Sequence, residues 1–245
     1  MPPAYSIVVP AYNEVRRLGA CLESILAYVA EQRWEAEILV VNDGSRDGTA
    51  ALAAEYAARH PTVRLLQNPG NRGKGYSVRH GMLQAQGELL LFTDADLSAP
   101  IAEAAKLFAA LRAGAGIAIG SRWLASETQT LRQPFHRQLF GRIFNLLLRV
   151  LLGLRFKDTQ CGFKAFTRHA AQELFPLQRI ERWAFDPELL YLARRRKLAV
   201  QEVAVEWAHD PRSTIRALRD GPRMFWDLLR IRWYALAGKY SAGKE

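Results

Sequence analysis

The chain has 245 residues, 49% of them hydrophobic, enough to bury the core of one large α/β domain. Its formal charge of +10 is uneven: residues 1–131 carry 12 Lys/Arg and 13 Asp/Glu, residues 132–245 carry 22 and 11, and this basic second half points to an anionic partner, whether nucleic acid, membrane surface or phosphorylated substrate. Cys21 and Cys161 lie far apart and near no other Cys or His at ligand spacing, which indicates neither a disulfide framework nor a zinc site and suits a reducing, cytoplasmic setting; Met1–Ser6 shows no signal-peptide pattern, so no targeting segment is expected.

Tyr5–Val9 is a strand that Pro10 is expected to end, and Glu14–Arg33 follows with helical spacing through Leu18, Cys21, Leu22, Ile25, Leu26 and Val29. Glu37–Val41 reads as a second strand closed by Asn42-Asp43-Gly44-Ser45, and Asp47 as the cap of a helix over Gly48–Arg59. A strand at Val63–Leu66, a helix at Gly75–Ala85 and a strand at Glu88–Thr93 follow. This alternation predicts a Rossmann-like α/β fold, a mainly parallel sheet flanked by helices, with ligands gathered at the carboxyl ends of the strands. Pro10–Glu14, Asn42–Ser45 and Asp94–Asp96 all lie at such ends.

Phe135–Leu154 is apolar apart from a stripe of Gln138, Arg142, Asn145 and Arg149, and its apolar runs are far shorter than the roughly 20 residues of a membrane span. An interfacial amphipathic helix is expected there. Ile215–Tyr234 repeats the pattern, setting Arg216, Arg219, Arg223, Asp227 and Arg230 against Met224, Phe225, Leu228, Leu229, Ile231, Trp233 and Tyr234. Both segments suit either a membrane surface or ordinary packing on the sheet. Residues 1–210 read as one domain, including the helix at about 135–154, and residues 211–245 as a C-terminal amphipathic helical extension.

Asp94-Ala95-Asp96 can place carboxylate oxygens around Mg²⁺ or Mn²⁺ and leave positions open for a diphosphate, although Asp96 or Ser98 could instead cap a helix after Pro100. Asp43 is either part of a turn or an acceptor for a base N–H. Asn68–Gly75 is a glycine-rich loop carrying Arg72 and Lys74, suited to phosphate approach. It has neither the P-loop ending nor dinucleotide-binding glycine spacing, which disfavours a nucleoside triphosphatase or a dehydrogenase. No nucleic-acid recognition module is present in the pattern, so no nucleic-acid partner is expected.

Val8–Glu14, Val41–Thr49, Asn71–Gly75, Asp94–Asp96, Gly120–Arg122, Asp158–Lys164 and Arg182–Leu190 together resemble family 2 glycosyltransferases with a GT-A fold. The last two segments resemble the polyprenyl-phosphate enzymes, and the final one their dolichyl-phosphate β-glucosyltransferase branch. The resemblance implies a UDP-sugar donor held by Pro10, Ala11, Tyr12, Glu14, Asp43, Lys74, Asp94, Ala95 and Asp96, with Asp94 and Asp96 as metal ligands. It implies catalytic roles for Asp94, Asp96, Arg122 and Asp186, and an acceptor region of Arg122, Gln160, Lys164, Glu188, Arg212 and Arg216. Related mannosyl enzymes commonly have Gln at the position of Ser98 and Gly-Ser-Lys near Arg212-Ser213-Thr214, so Ser98 leans towards glucose over GDP-mannose. A β-linked polyprenyl-phosphate glucose is the implied product, a saccharide hydroxyl the alternative acceptor. The enzyme is expected to lie peripherally on the cytoplasmic face of an anionic membrane; its oligomeric state is not legible.

Overall fold

A computed structural model describes residues 3–124, 146–207 and 217–241. The strands are β1 (Tyr5–Ala11), β2 (Ala36–Asn42), β3 (Val63–Gln67), β4 (Leu89–Thr93), β5 (Ile117–Ser121), β6 (Phe163–Thr167) and β7 (Val200–Ala204). The helices are α1 (Leu18–Glu31), α2 (Thr49–Arg59), α3 (Lys74–Gln84), α4 (Ala104–Arg112), α5 (Arg168–Leu174), α6 (Phe185–Arg195) and α7 (Ala217–Leu236). One seven-stranded sheet runs β3-β2-β1-β4-β6-β5-β7.

The near-continuous apolar runs of β1 and β2 are those of strands covered on both faces. Period-2 alternation sends Ile7, Val9, Ile38 and Val40 into a core with α1, α2 and α4. Val8, Leu39, Val41 and Phe92 face the opposite core, built with α3, α5, α6 and α7. Each such fully buried aliphatic or aromatic side chain stabilises the fold by about 1.5–3 kcal/mol.

Pro10 does not end β1, which continues to Ala11 in register Pro10↔Val41 with β2. Pairing of β1 with β4 stops at Val8↔Phe92, so the N–H that proline lacks falls beyond that ladder. The helix expected from Glu14 begins only at Leu18, because Glu14–Arg17 forms a turn in which Glu14 O accepts from Arg17 N and Leu18 N. The larger departure is β6, which runs antiparallel to both β4 and β5 inside an otherwise parallel sheet.

Residues 135–145 of the expected interfacial helix lie outside the described residues; Leu148–Leu152 forms a π-helical turn. Helix α7 packs against this turn and α6 through Met224, Leu228 and Ile231. Asp227, expected on the polar stripe, is instead buried, with Arg230 Nη1 at 3.3 Å, and burial pushes its carboxyl up. Leu146, Val150, Trp226, Trp233 and Leu236 are exposed. Among the described residues no helix is long and apolar enough to cross a membrane.

Candidate active site

Chain order places β1 and β2 on one side and carries β4 back to the other flank of β1, so the carboxyl ends of β1 and β4 border the crevice where such sheets bind ligands. Asn13, at φ 56°, is in the left-handed region that asparagine tolerates. It joins the ends of β1 and β2: Asn13 N donates to Ser45 Oγ at 3.0 Å, Arg46 N to Asn13 Oδ1 at 2.8 Å, and Glu14 N to Thr49 Oγ1 at 2.8 Å. Pro10 and Ala11 line this end and Tyr12 is exposed. Glu14 accepts from Arg17 Nε and Nη2, both at 2.6 Å, and Arg17 Nη1 lies 3.9 Å from Asp96 Oδ2. Burial raises the Glu14 carboxyl pKa against the pull of Arg17.

Asp43, buried at the end of β2, accepts from Asn68 Nδ2 at 2.8 Å, Arg72 N at 2.9 Å and Gly73 N at 2.8 Å. Its first task is therefore to fix the loop that presents Lys74, and a base N–H can use only the acceptor capacity these donors leave. Asn68 Oδ1 faces His80 Nδ1 at 2.8 Å, which makes Nδ1 the protonated nitrogen, and burial lowers the His80 pKa. Gly73 has φ 110°, and a Cβ there would stand 2.6 Å from Glu181 O, so two constraints select glycine.

The loop brings Lys74 Nζ to 2.5 Å from Asp94 Oδ1. Burial works to lower the Lys74 ammonium pKa, but Asp94 and Asp186 together hold it above the ordinary lysine range. Beneath them Lys164 of β6, fully buried, donates to Asp186 Oδ1 at 2.6 Å and to Cys161 O, with Phe92 below its ammonium at 5.5 Å. Burial pushes the Asp186 carboxyl up, and Lys164 and Lys74 pull it partly back. Lys164 faces inward to a carboxylate, so its direct role is to hold Asp186 at the N-terminus of α6, and in this conformation it is not presented to an acceptor.

A Cβ at Gly162 would run into the Asp94 carboxylate. Gly162→Ala is therefore expected to displace Asp94 and lower transfer activity by about 10²-fold with the fold retained, as a misplacement of about 1 Å does; turnover measured beside a thermal melt checks this.

Arg122, at the end of β5, grips Asp158 three ways, with Nε at 2.6 Å, Nη2 at 2.8 Å and its own N at 3.0 Å, and its guanidinium lies 5.0 Å from the Trp207 ring. Burial opposes ionisation of Asp158, yet Arg122 holds its carboxyl below the usual range. Gln160 is half-buried nearby in sequence, and the hydroxyls of Ser121 and Thr159 are buried without a partner among the described residues. Arg212 and Arg216 lie outside the described residues.

Glu188 is not brought into the crevice. Fully buried, it accepts from Arg179 N at 3.0 Å, Ile180 N at 2.8 Å and the Tyr240 hydroxyl, which ties the C-terminal segment to α6. Burial pushes its carboxyl from 4.5 up to about 7. The folded protein keeps this proton at pH values where the unfolded chain has lost it, so the stabilisation is complete below about pH 4.5 and gone above about pH 7, a loss of about 3 kcal/mol. Glu188→Gln is expected to melt lower but to flatten the fall in melting temperature across that window.

Asp94 and Asp96 are partly exposed carboxylates, at 30% and 23%, on one strand end, and Asp96 Oδ1 accepts from Ser98 N at 2.9 Å. Among the described residues no group of three or more His, Cys, Asp or Glu could enclose an ion. Two hard oxygen donors facing an open crevice fit a divalent cation that takes its other ligands from water and diphosphate. Arg17, which the sequence reading gave no role, carries this geometry together with Asn68 and Gly162, which stood there only as members of the Asn68–Gly75 and Asp158–Lys164 segments; Arg17 sits three residues after Glu14.

The model of glycosyl transferase family 2 matches residues 6–175. A dolichyl-phosphate beta-glucosyltransferase of Trichomonas vaginalis is 41% identical over 242 residues, covering 94% of this chain and 73% of that relative. One of Drosophila melanogaster is 41% identical over 239 residues, covering 92% and 73%. Among solved structures, glucosyl-3-phosphoglycerate synthase of Mycobacterium tuberculosis in complex with Mn²⁺, uridine diphosphate and glucosyl-3-phosphoglycerate aligns with a TM-score of 0.68 at 20% identity, over 99% of this chain and 82% of that one. That likeness speaks for the fold, which is GT-A. By the family match and by identity along most of its length, the chain is a glycosyltransferase and belongs to glycosyl transferase family 2.

Proposed function

We propose that the protein moves glucose from UDP-glucose to the phosphate of a polyprenol, dolichol or undecaprenol, with inversion, giving a β-linked polyprenyl-phosphate glucose. One observation carries this: Lys74 Nζ stands 2.5 Å from Asp94 at the strand ends, a cation beside the acidic pair suited to a diphosphate leaving group, with the buried Lys164–Asp186 pair behind it. The relatives' activity supports the same donor sugar and acceptor.

Asp94 and Asp96 would hold Mg²⁺ or Mn²⁺, which supplies positive charge to the departing diphosphate. Lys74 adds a cation at the start of α3. In the transfer, the bond from the anomeric carbon to the UDP oxygen breaks as an acceptor phosphate oxygen bonds to the opposite face. A phosphate monoester, with a second pKa of about 6, is largely a dianion at neutral pH and needs no base. Asp186 is thus assigned to orienting groups in the sugar or acceptor site, and Arg122, Gln160, Arg212 and Arg216 to the acceptor side.

Such an acceptor stays in the bilayer. The exposed Leu146, Val150, Trp226, Trp233 and Leu236, beside a basic second half, support peripheral binding to an anionic membrane on its cytoplasmic face.

The test supplies UDP-glucose or GDP-mannose, labelled in the sugar, with Mg²⁺ or Mn²⁺ and either polyprenyl phosphate or free saccharides. Label from UDP-glucose is expected in the organic-extractable lipid. Label confined to saccharide, or lipid labelled only from GDP-mannose, would replace this assignment with the corresponding alternative.

A further inference from the structure

A pocket of about 270 Å³ lies away from the Asp94–Lys74 pair, among Arg79 on the flank of α3, the 176–181 segment and the end of the C-terminal helix. Arg79, Gln178, Arg179, Glu181, Tyr234 and Lys239 line it. Its charge is one-sided. Glu181 is already paired with Arg72 at 2.5 Å, whereas Arg79 forms no ion pair among the described residues, Arg179 lies in the field of the buried Glu188, and Lys239 Nζ lies over the Trp233 and Tyr234 rings. The two arginines are pinned through their Nε groups, Arg79 to Phe175 O and Arg179 to Lys239 O, both at 3.0 Å. That anchoring fixes both side chains while the terminal guanidinium nitrogens keep donors in hand.

Gln178 forms part of the wall behind these cations. Gln178 is 2% exposed, and its Nε2 donates to Gly75 O at 2.8 Å and Ile180 O at 3.0 Å. Both partners are carbonyls, which fixes the amide orientation and leaves Oε1 a buried acceptor with no donor. That oxygen is sealed inside the wall, so what the pocket presents to a ligand is its cations, and these suit a phosphate. Lys239 Nζ also lies 4.2 Å from the ring centre of the exposed Trp233, so the pocket borders the apolar surface of α7.

We propose that this pocket is a binding site for a phosphate ester, separate from the nucleotide-sugar crevice. Two sources share that chemistry, a glycerophospholipid headgroup and a free phosphate ester.

The test compares the wild-type chain with Arg79→Gln/Lys239→Gln and with Lys74→Met, by calorimetric titration with glycerol 3-phosphate and by flotation on phosphatidylcholine vesicles with or without phosphatidylglycerol. The double variant is expected to weaken at least one of these interactions by about tenfold, as loss of two charge-assisted contacts implies, while Lys74→Met leaves it unchanged. Weakened titration identifies a soluble ester, and weakened flotation on the phosphatidylglycerol vesicles identifies the lipid. If the double variant melts early, Lys239→Gln alone, at an exposed position, is expected to show about a threefold loss. Wild-type and variant proteins behaving alike in both assays, or an effect of Lys74→Met equal to that of the double variant, would overturn the proposal; neither outcome bears on glucose transfer itself.

Discussion

Asp94→Asn is expected to reduce glycosyl transfer by about 10³-fold or more while leaving the fold intact. The amide matches the carboxylate in shape, so it still packs against Gly162, where nothing larger than hydrogen is tolerated. What it removes is charge. One of two anionic oxygen donors at the end of β4 is lost, and Lys74, held at 2.5 Å, loses the partner that keeps it pointed into the crevice. Loss of preorganised charge at a departing diphosphate is worth about 4 kcal/mol of barrier, which corresponds to that rate. Single-turnover rates, read beside unchanged melting curves, give the answer; a loss below about tenfold would remove Asp94 from the centre of the mechanism.

The second large effect concerns stability. Lys164→Met leaves Asp186 buried without its nearest cation, and breaking such a pair from one side costs about 3–5 kcal/mol. For a chain of this size that is a fall of about 10 °C in melting temperature. Burial already pushes the Asp186 carboxyl up, so removing Lys164 raises it further and the group takes up a proton more readily. The destabilisation should thus be greater at pH 8 than at about pH 5.5, since protonation removes the stranded charge. Adding Asp186→Asn to Lys164→Met should recover most of the loss, because the pair is then replaced from both sides. A pH-independent loss that the second substitution leaves untouched would mean that Lys164 contributes packing alone.

The parallel half of the fold was legible because β1 to β4 are apolar runs separated by amphipathic helices, and both periods survive in the sequence. The acidic strand ends were legible for the same reason, since Asp43 and Asp94 follow directly on buried runs. Pairing across distance was not. Phe163–Thr167 reads poorly as a central strand because it carries a lysine, and Lys164 is tolerated there only through Asp186, 22 residues away. The same blindness affected Glu188, which the resemblance puts in the acceptor region but which turns inward to Arg179, Ile180 and Tyr240. Asp43 shows a middle case: its position was foreseen, but its three loop donors were not. Close approaches such as Gly162 against Asp94 leave no local pattern, because a glycine after Cys161 reads as a turn until the fold brings β4 beside it.

Proton and phosphorus NMR of the purified lipid product from UDP-glucose and polyprenyl phosphate tests the central claim most directly. The account predicts a β-configured glucose whose anomeric carbon is joined through oxygen to phosphorus. An α-configured product, or glucose joined to a carbon-bound hydroxyl with no coupling to phosphorus, would contradict it.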